Sequence, residues 1–257
     1  MKTKKPVLGM VVIALVSVFG VVGVSFLDPI SQDPGYHLFE DSRVVLGIPN
    51  FWNVISNVPF LAVGLTGMLA VHRSRKVLCI AEIKAAYSLF FLSVSLISLG
   101  SVYYHLVPYN GTLVWDRLPM TVAFMALLSI VIAEFISVNL GRLALWPLIF
   151  FGVFSVLYWY VTERNGEGDL RLYALVQFLP MLVIPIIILF FKSTFTNISG
   201  YWYLLFAYSV AKVCEYFDEA IYGELHFLSG HSLKHLAAAL AVYLLYRSYE
   251  NRQLASN

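Results

Sequence analysis

Eight stretches of about 20 predominantly apolar residues follow one another along the chain, and this succession constrains the fold more than any other feature. They fall near 6–27, 52–71, 85–106, 118–138, 143–161, 172–191, 201–221 and 229–246. Roughly 20 apolar residues let a helix cross the hydrocarbon core of a bilayer. Inside that core every backbone N–H and C=O must be paired within a helix or a closed barrel, and long unbroken apolar runs choose the helix. The expected fold is therefore an all-α, polytopic membrane helix bundle. Composition agrees, since 60% of the 257 residues are hydrophobic and 12% are charged, about half the charged share of a soluble domain. A net charge of +2 leaves no basic field for nucleic acid. The membrane and its lipids are the expected partners, and no protein partner is predicted. Cys79 and Cys214 form no C-x-x-C pair and no disulfide framework.

The longest connection, about residues 28–51, is too short for a separate soluble domain. The chain accordingly divides into an N-terminal transmembrane helix or signal anchor over 1–30, an extracytoplasmic segment over 31–51 and a core of seven spans over 52–257. The first apolar run follows Lys2, Lys4 and Lys5, and Gly23-Val24-Ser25 has the small residues of a cleavage site. Its length exceeds the ~7–15 residues of a signal-peptide core, which favours a retained helix. With the N-terminus inside, the inner connections carry eleven cations: Lys2, Lys4, Lys5, Arg73, Arg75, Lys76, Lys84, Arg142, Lys192, Arg247 and Arg252. The outer ones carry four: Arg43, Arg117, Arg164 and Arg171. This is the asymmetry of the positive-inside rule, and it predicts cytoplasmic termini.

Polar side chains inside membrane helices are costly, so those that can converge deserve a functional reading. Ser101 and His105 lie four residues apart near the end of the third run, Asp116 follows at the start of the fourth, and His231 and His235 repeat the four-residue spacing at the start of the last. At ~3.6 residues per turn, each i,i+4 pair shares a helix face. The charge asymmetry places all five at one depth on the outer side. Three imidazoles arranged in this way can supply three ligands of a tetrahedral zinc site and leave a fourth position for water, whose pKa zinc lowers from about 15.7 to about 7. Asp116 is then the candidate proton acceptor, and Ser101 is placed to hydrogen-bond the oxyanion or the metal-bound water. Taken singly, each of these residues is more often an interhelical hydrogen-bonding group; it is their convergence that points to chemistry.

Ser101-x-x-x-His105, Asp116 eleven residues on, His231-x-x-x-His235 and Phe51-Trp52-Asn53-Val54-Ile55-Ser56-Asn57 together resemble the alkaline ceramidases. These belong to the CREST superfamily of seven-helix membrane hydrolases, which includes the adiponectin-receptor-like proteins. The resemblance covers about residues 50–247. It implies a seven-helix core, zinc held by His105, His231 and His235 with Ser101 and Asp116 assisting, and hydrolysis of the ceramide amide to sphingoid base and fatty acid. The first run lies outside that core. The eukaryotic members also carry an acidic calcium segment ending in Glu directly before Phe-Trp-Asn. Asn50 stands at that place here, and Asp33, Glu40 and Asp41 do not reproduce the spacing, which argues against calcium.

Asn53, Ser56 and Asn57 read as a polar wall beside the site or as interhelical hydrogen bonds. Lys212 and Glu215 are spaced to pair, while Asp218 or Glu219 either joins an ion-pair network or lines the substrate cavity. Lys234 is expected to snorkel to the interface, and His37, His72 and His226 to be solvated. Two other functions compete with a hydrolase: a seven-helix receptor or sensor with a structural zinc, and a transporter using Lys212, Glu215, Asp218 and Glu219.

Overall fold

The structure, a computed structural model, describes residues 4–73 and 77–255. Lys2, Arg75 and Lys76, counted above among the inner cations, lie outside the described residues. The chain is all-helical, 77% helix, and only two isolated bridges interrupt that pattern among the described residues. Ten α-helices are described: α1 (Lys4–Ser25), α2 (Phe51–Ile55), α3 (Val58–Arg73), α4 (Lys84–Leu106), α5 (Asn110–Phe135), α6 (Val138–Arg164), α7 (Arg171–Phe190), α8 (Ser199–Tyr216), α9 (Asp218–Leu225) and α10 (Gly230–Glu250). Counting α2 and α3 as one segment, six are long and apolar enough to cross a membrane, as in a multi-pass membrane protein. They are α1, α2–α3, α4, α5, α6 and α7. The helices α8 and α10, of 18 and 21 residues, are also long, about 27 and 31 Å at 1.5 Å per residue, but carry more polar residues.

Two expected runs are broken. The run 52–71 divides into α2 and α3 because Pro59 has no N–H to give the Ile55 carbonyl and its ring crowds that oxygen. The chain turns at Ser56 and Asn57 and restarts with proline in the first turn, where its missing N–H costs nothing. The run 201–221 breaks at Phe217, where α8 gives way to α9. Here Gly230 passes so close to the Cys214 carbonyl that a β-carbon would overlap it. The expected turn at 165–168 does separate α6 from α7, whereas of 108–111 only Pro108 and Tyr109 lie between α4 and α5, because α5 begins at Asn110, ahead of the run expected from 118.

The centre of the bundle is α4, packed on α3 and α5; α5 packs on α6 and α7, and α10 joins α8 to α3. Helix α1 lies outside along α7, with Gly9 against Phe190 and Phe191. Large apolar side chains such as Phe19, Leu143, Phe150 and Phe206 face outward and exposed, the surface expected against lipid.

Antiparallel alternation brings the end of α4 and the starts of α5, α7 and α10 to one end of the bundle. At the opposite end Arg252 and Glu134 form a buried ion pair at 2.8 Å. The Tyr87 and Tyr201 hydroxyls donate to the same carboxylate, and Arg252 also donates to the Leu78 carbonyl. That network ties the C-terminal segment to α4, α5 and α8.

Candidate metal centre

Each histidine of the site is set by the local chain. His105 lies in the last turn of α4, and the Asn50 side-chain amide donates to its carbonyl at 2.7 Å. Asn50 itself has φ +48, a left-handed conformation that asparagine tolerates. His231 and His235 occupy the first two turns of α10, which is capped by Ser229 and by Asp218; the Asp218 carboxylate accepts the His231 N–H at 2.6 Å. The three rings form a near-equilateral triangle with centroid separations of 4.9, 5.1 and 5.0 Å. One ligand nitrogen of each lies within 4.8 Å of the others, so this buried group could hold a metal ion. A zinc ion bound at ~2.0–2.1 Å would draw them closer.

Two observations fit a metal. Both ring nitrogens of the fully buried His105 lack a hydrogen-bond partner, a costly state for a buried imidazole that a ligand relieves. His235 is oriented by its neighbours, with Nδ1 2.8 Å from Ser56 Oγ. With the Ser56 proton on the Asn53 carbonyl at 3.2 Å, Ser56 would accept from His235 Nδ1, the tautomer that leaves the Nε2 lone pair free for a metal, while the Asn57 amide N–H at 3.3 Å competes for the same Nδ1 as an acceptor. Asn53 in turn accepts from the Ser232 hydroxyl through Oδ1 at 2.7 Å, locking α2 to α10. The polar wall expected from Asn53, Ser56 and Asn57 is thus in contact with the histidines and with α10.

Phe39, in the segment before α2, covers the triangle, its ring 4.6 Å from His105 and 4.8 Å from His231. Nothing in the sequence pattern singled it out, because one aromatic residue in a connection has no periodicity to mark it.

Ser101 and Asp116 are brought together with His235 in the wall of one cavity of about 500 Å³. Gly100 makes this possible: a β-carbon there would collide with the Trp115 carbonyl, so α4 and α5 approach where glycine stands. Most of the cavity wall is apolar, with Phe60, Val94, Met120 and Ala238 among its side chains. It extends to α7 and α8, which both line it yet do not pack extensively on one another; α7 rests on α1, α5 and α6, and α8 on α10.

Several expectations require correction. Lys234 does not reach out to an interface: it is half-buried, lines the cavity and pairs with Glu215 at 2.5 Å. Glu215 also pairs with Lys212 at 2.7 Å, as its spacing suggested, and accepts from the Tyr36 hydroxyl at 3.3 Å. Two cations around one carboxylate hold the lysine inward. His37 is half-buried rather than solvated, bonded to the Tyr104 hydroxyl and Asn110. Asp218 and Glu219 are absent from the cavity wall, and Asp218 instead caps α10. Both carboxylate oxygens of Asp41 are engaged by Arg43, and Asp33 accepts from the Gly35 N–H. Those acids are committed to local partners.

Outside the spans, Asp169 accepts from the Arg171 guanidinium and from the Tyr158 hydroxyl. The Arg171 hydrogen bond holds its carboxyl below the usual aspartate range.

Comparison of the chain with known proteins found no family model that matches it and no curated protein that matches it.

Proposed function

We propose that the protein is a zinc-dependent intramembrane hydrolase that cleaves the amide of ceramide or a related N-acyl lipid. The observation that carries this reading is a buried three-histidine group that reaches, through His235, the wall of a largely apolar cavity also lined by Ser101 and Asp116. The resemblance to the alkaline ceramidases supports it. In this reading α2–α3, α4, α5, α6, α7, α8 and α10 are the seven core helices, α1 is the added one, and the site faces the extracytoplasmic side.

His105, His231 and His235 would hold the zinc, which when bound polarises a carbonyl and acidifies water. The chain's own residues do the rest. The apolar wall takes the hydrocarbon tails, and the seam between α7 and α8 offers them a sideways route from the bilayer. Ser101 Oγ–H donates to the amide oxygen as negative charge develops there. Asp116 takes a proton from the attacking water and returns it to the departing nitrogen. A C–O bond forms and the C–N bond breaks, giving a fatty acid and an amine.

The Phe39 ring over His105 and His231 favours a second reading, a sensor in which the metal only clamps α4 to α10. Fatty-acid release from N-acyl sphingoid bases by the purified protein, with metal content measured on the same sample, separates the two. The hydrolase predicts zinc-dependent release that Asp116→Asn abolishes while zinc stays bound. Stoichiometric zinc without release from any N-acyl lipid would favour the clamp, and zinc that survives loss of all three histidines would refute both.

A further inference from the structure

Beside Asp116, the cavity wall holds a buried cation that the proposed chemistry does not use. Arg117 is 6% exposed. Its guanidinium lies between the rings of Trp159 and Tyr173, 4.3 and 4.6 Å from their centroids, and Nη2 donates to Gln32 Oε1 at 2.7 Å. Its Nη1 has no hydrogen-bond partner. Aromatic faces and a neutral amide hold a guanidinium in place without neutralising it, and a buried charge left unpaired is costly. The other charges of the wall do not supply the missing anion. Glu215 is already shared by Lys212 and Lys234, and Asp33 is exposed and turned to the Gly35 N–H. Asp116 is the wall's remaining acid, and the proposed reaction uses it.

We propose that Arg117 forms a subsite for an anionic group on the headgroup side of the substrate amide, so that the preferred lipid is an N-acyl amine bearing a carboxylate or sulfonate. Nη1 is sealed from solvent as well as unpartnered, so the oxygens of such a group would approach the guanidinium from the cavity that Arg117 lines, with Nη1 turning to meet them. Tails and headgroup then occupy opposite parts of the cavity, with the scissile amide between them at Ser101 and Asp116. The identity of this lipid as a substrate rests on the hydrolase reading; its binding does not.

The test is lipid binding to the zinc-loaded, detergent-purified full chain, followed by native mass spectrometry, which also distinguishes intact lipid from cleaved product. The probes are N-acylglycine, N-acyltaurine and N-acylethanolamine of one chain length. A hydrogen bond to a charged group corresponds to ~10–150-fold in affinity. The two anionic lipids should therefore bind at least about ten-fold tighter than the neutral one. Arg117→Gln should bring all three to within about two-fold, and Arg117→Lys should keep part of the preference. Equal binding of all three lipids to the wild-type protein overturns the subsite even if no variant folds, and so does a preference unchanged in Arg117→Gln. A free fatty acid of the same length should not respond to Arg117→Gln; if it does, the anion is the product carboxylate and the headgroup subsite is wrong. Cleavage of a neutral ceramide without any anionic preference would remove the subsite and leave the hydrolase standing.

Discussion

Ser56→Ala removes one hydroxyl, 2.8 Å from His235 Nδ1, and should weaken metal binding without touching a ligand. In the tautomer that leaves Nε2 free for a metal, Ser56 accepts the Nδ1 hydrogen and donates its own to the Asn53 carbonyl. The next polar atom is Asn57 Nδ2 at 3.3 Å, a donor whose better bond goes to the Asn53 carbonyl at 2.7 Å. Without Ser56, a protonated Nδ1 faces a donor, and a buried donor left unmade costs about 1–3 kcal/mol. The imidazole escapes that cost by moving its proton to Nε2, the nitrogen the metal needs. Either route penalises the bound state, and loss of such outer partners typically lowers metal affinity by 10–100-fold, about 1.4–2.8 kcal/mol. Zinc competition with a chelator on the purified protein reads this directly. Ser56→Thr, which keeps the hydroxyl, should stay near wild type. Ser88→Ala, which removes a similar 2.9 Å contact to His72 away from the triangle, should change nothing. A zinc affinity for Ser56→Ala within about two-fold of wild type would refute the assignment of the tautomer and of Nε2 as ligand.

Two further outcomes follow from charged contacts away from the site. Arg252→Met alone leaves the Glu134 carboxylate buried without its cation and should cost about 3–5 kcal/mol in unfolding experiments in detergent, whereas Arg252→Met with Glu134→Leu should recover much of it; a single-variant loss below about 1 kcal/mol would show that the tyrosines suffice. Because the Asp169 carboxyl is held below its ordinary value, the tether it forms with Arg171 is complete above the unfolded aspartate pKa of about 3.9 and is lost as pH falls through the lower folded value. Hydrogen exchange in residues 165–171 should therefore rise only at acid pH, and in Asp169→Asn at every pH; exchange that ignores both changes would contradict this.

The five residues Ser101, His105, Asp116, His231 and His235 were legible in the sequence because i,i+4 spacing on a helix is a local geometric fact and polar groups stand out in apolar runs. The same logic located the long helices and their turns. It could not see that Pro59 and Phe217 would interrupt two runs, since a hydropathy window averages over single residues. Lys234 was misjudged for a related reason: snorkelling is the default of an isolated lysine, and only the fold brings Glu215 to within reach of it. Phe39, the Ser56 contact with His235 and the unpaired edge of Arg117 depend on contacts between segments far apart in the chain. Sequence alone thus determined that the chain is helical, roughly where its long helices run and which polar residues share a helix face, because those follow from backbone pairing in an apolar medium and from the helical repeat. Tertiary structure decided which buried charges are paired and which polar groups surround His235 Nδ1, because a hydrogen bond needs its partner within about 3 Å and no spacing rule specifies a distance across a bundle.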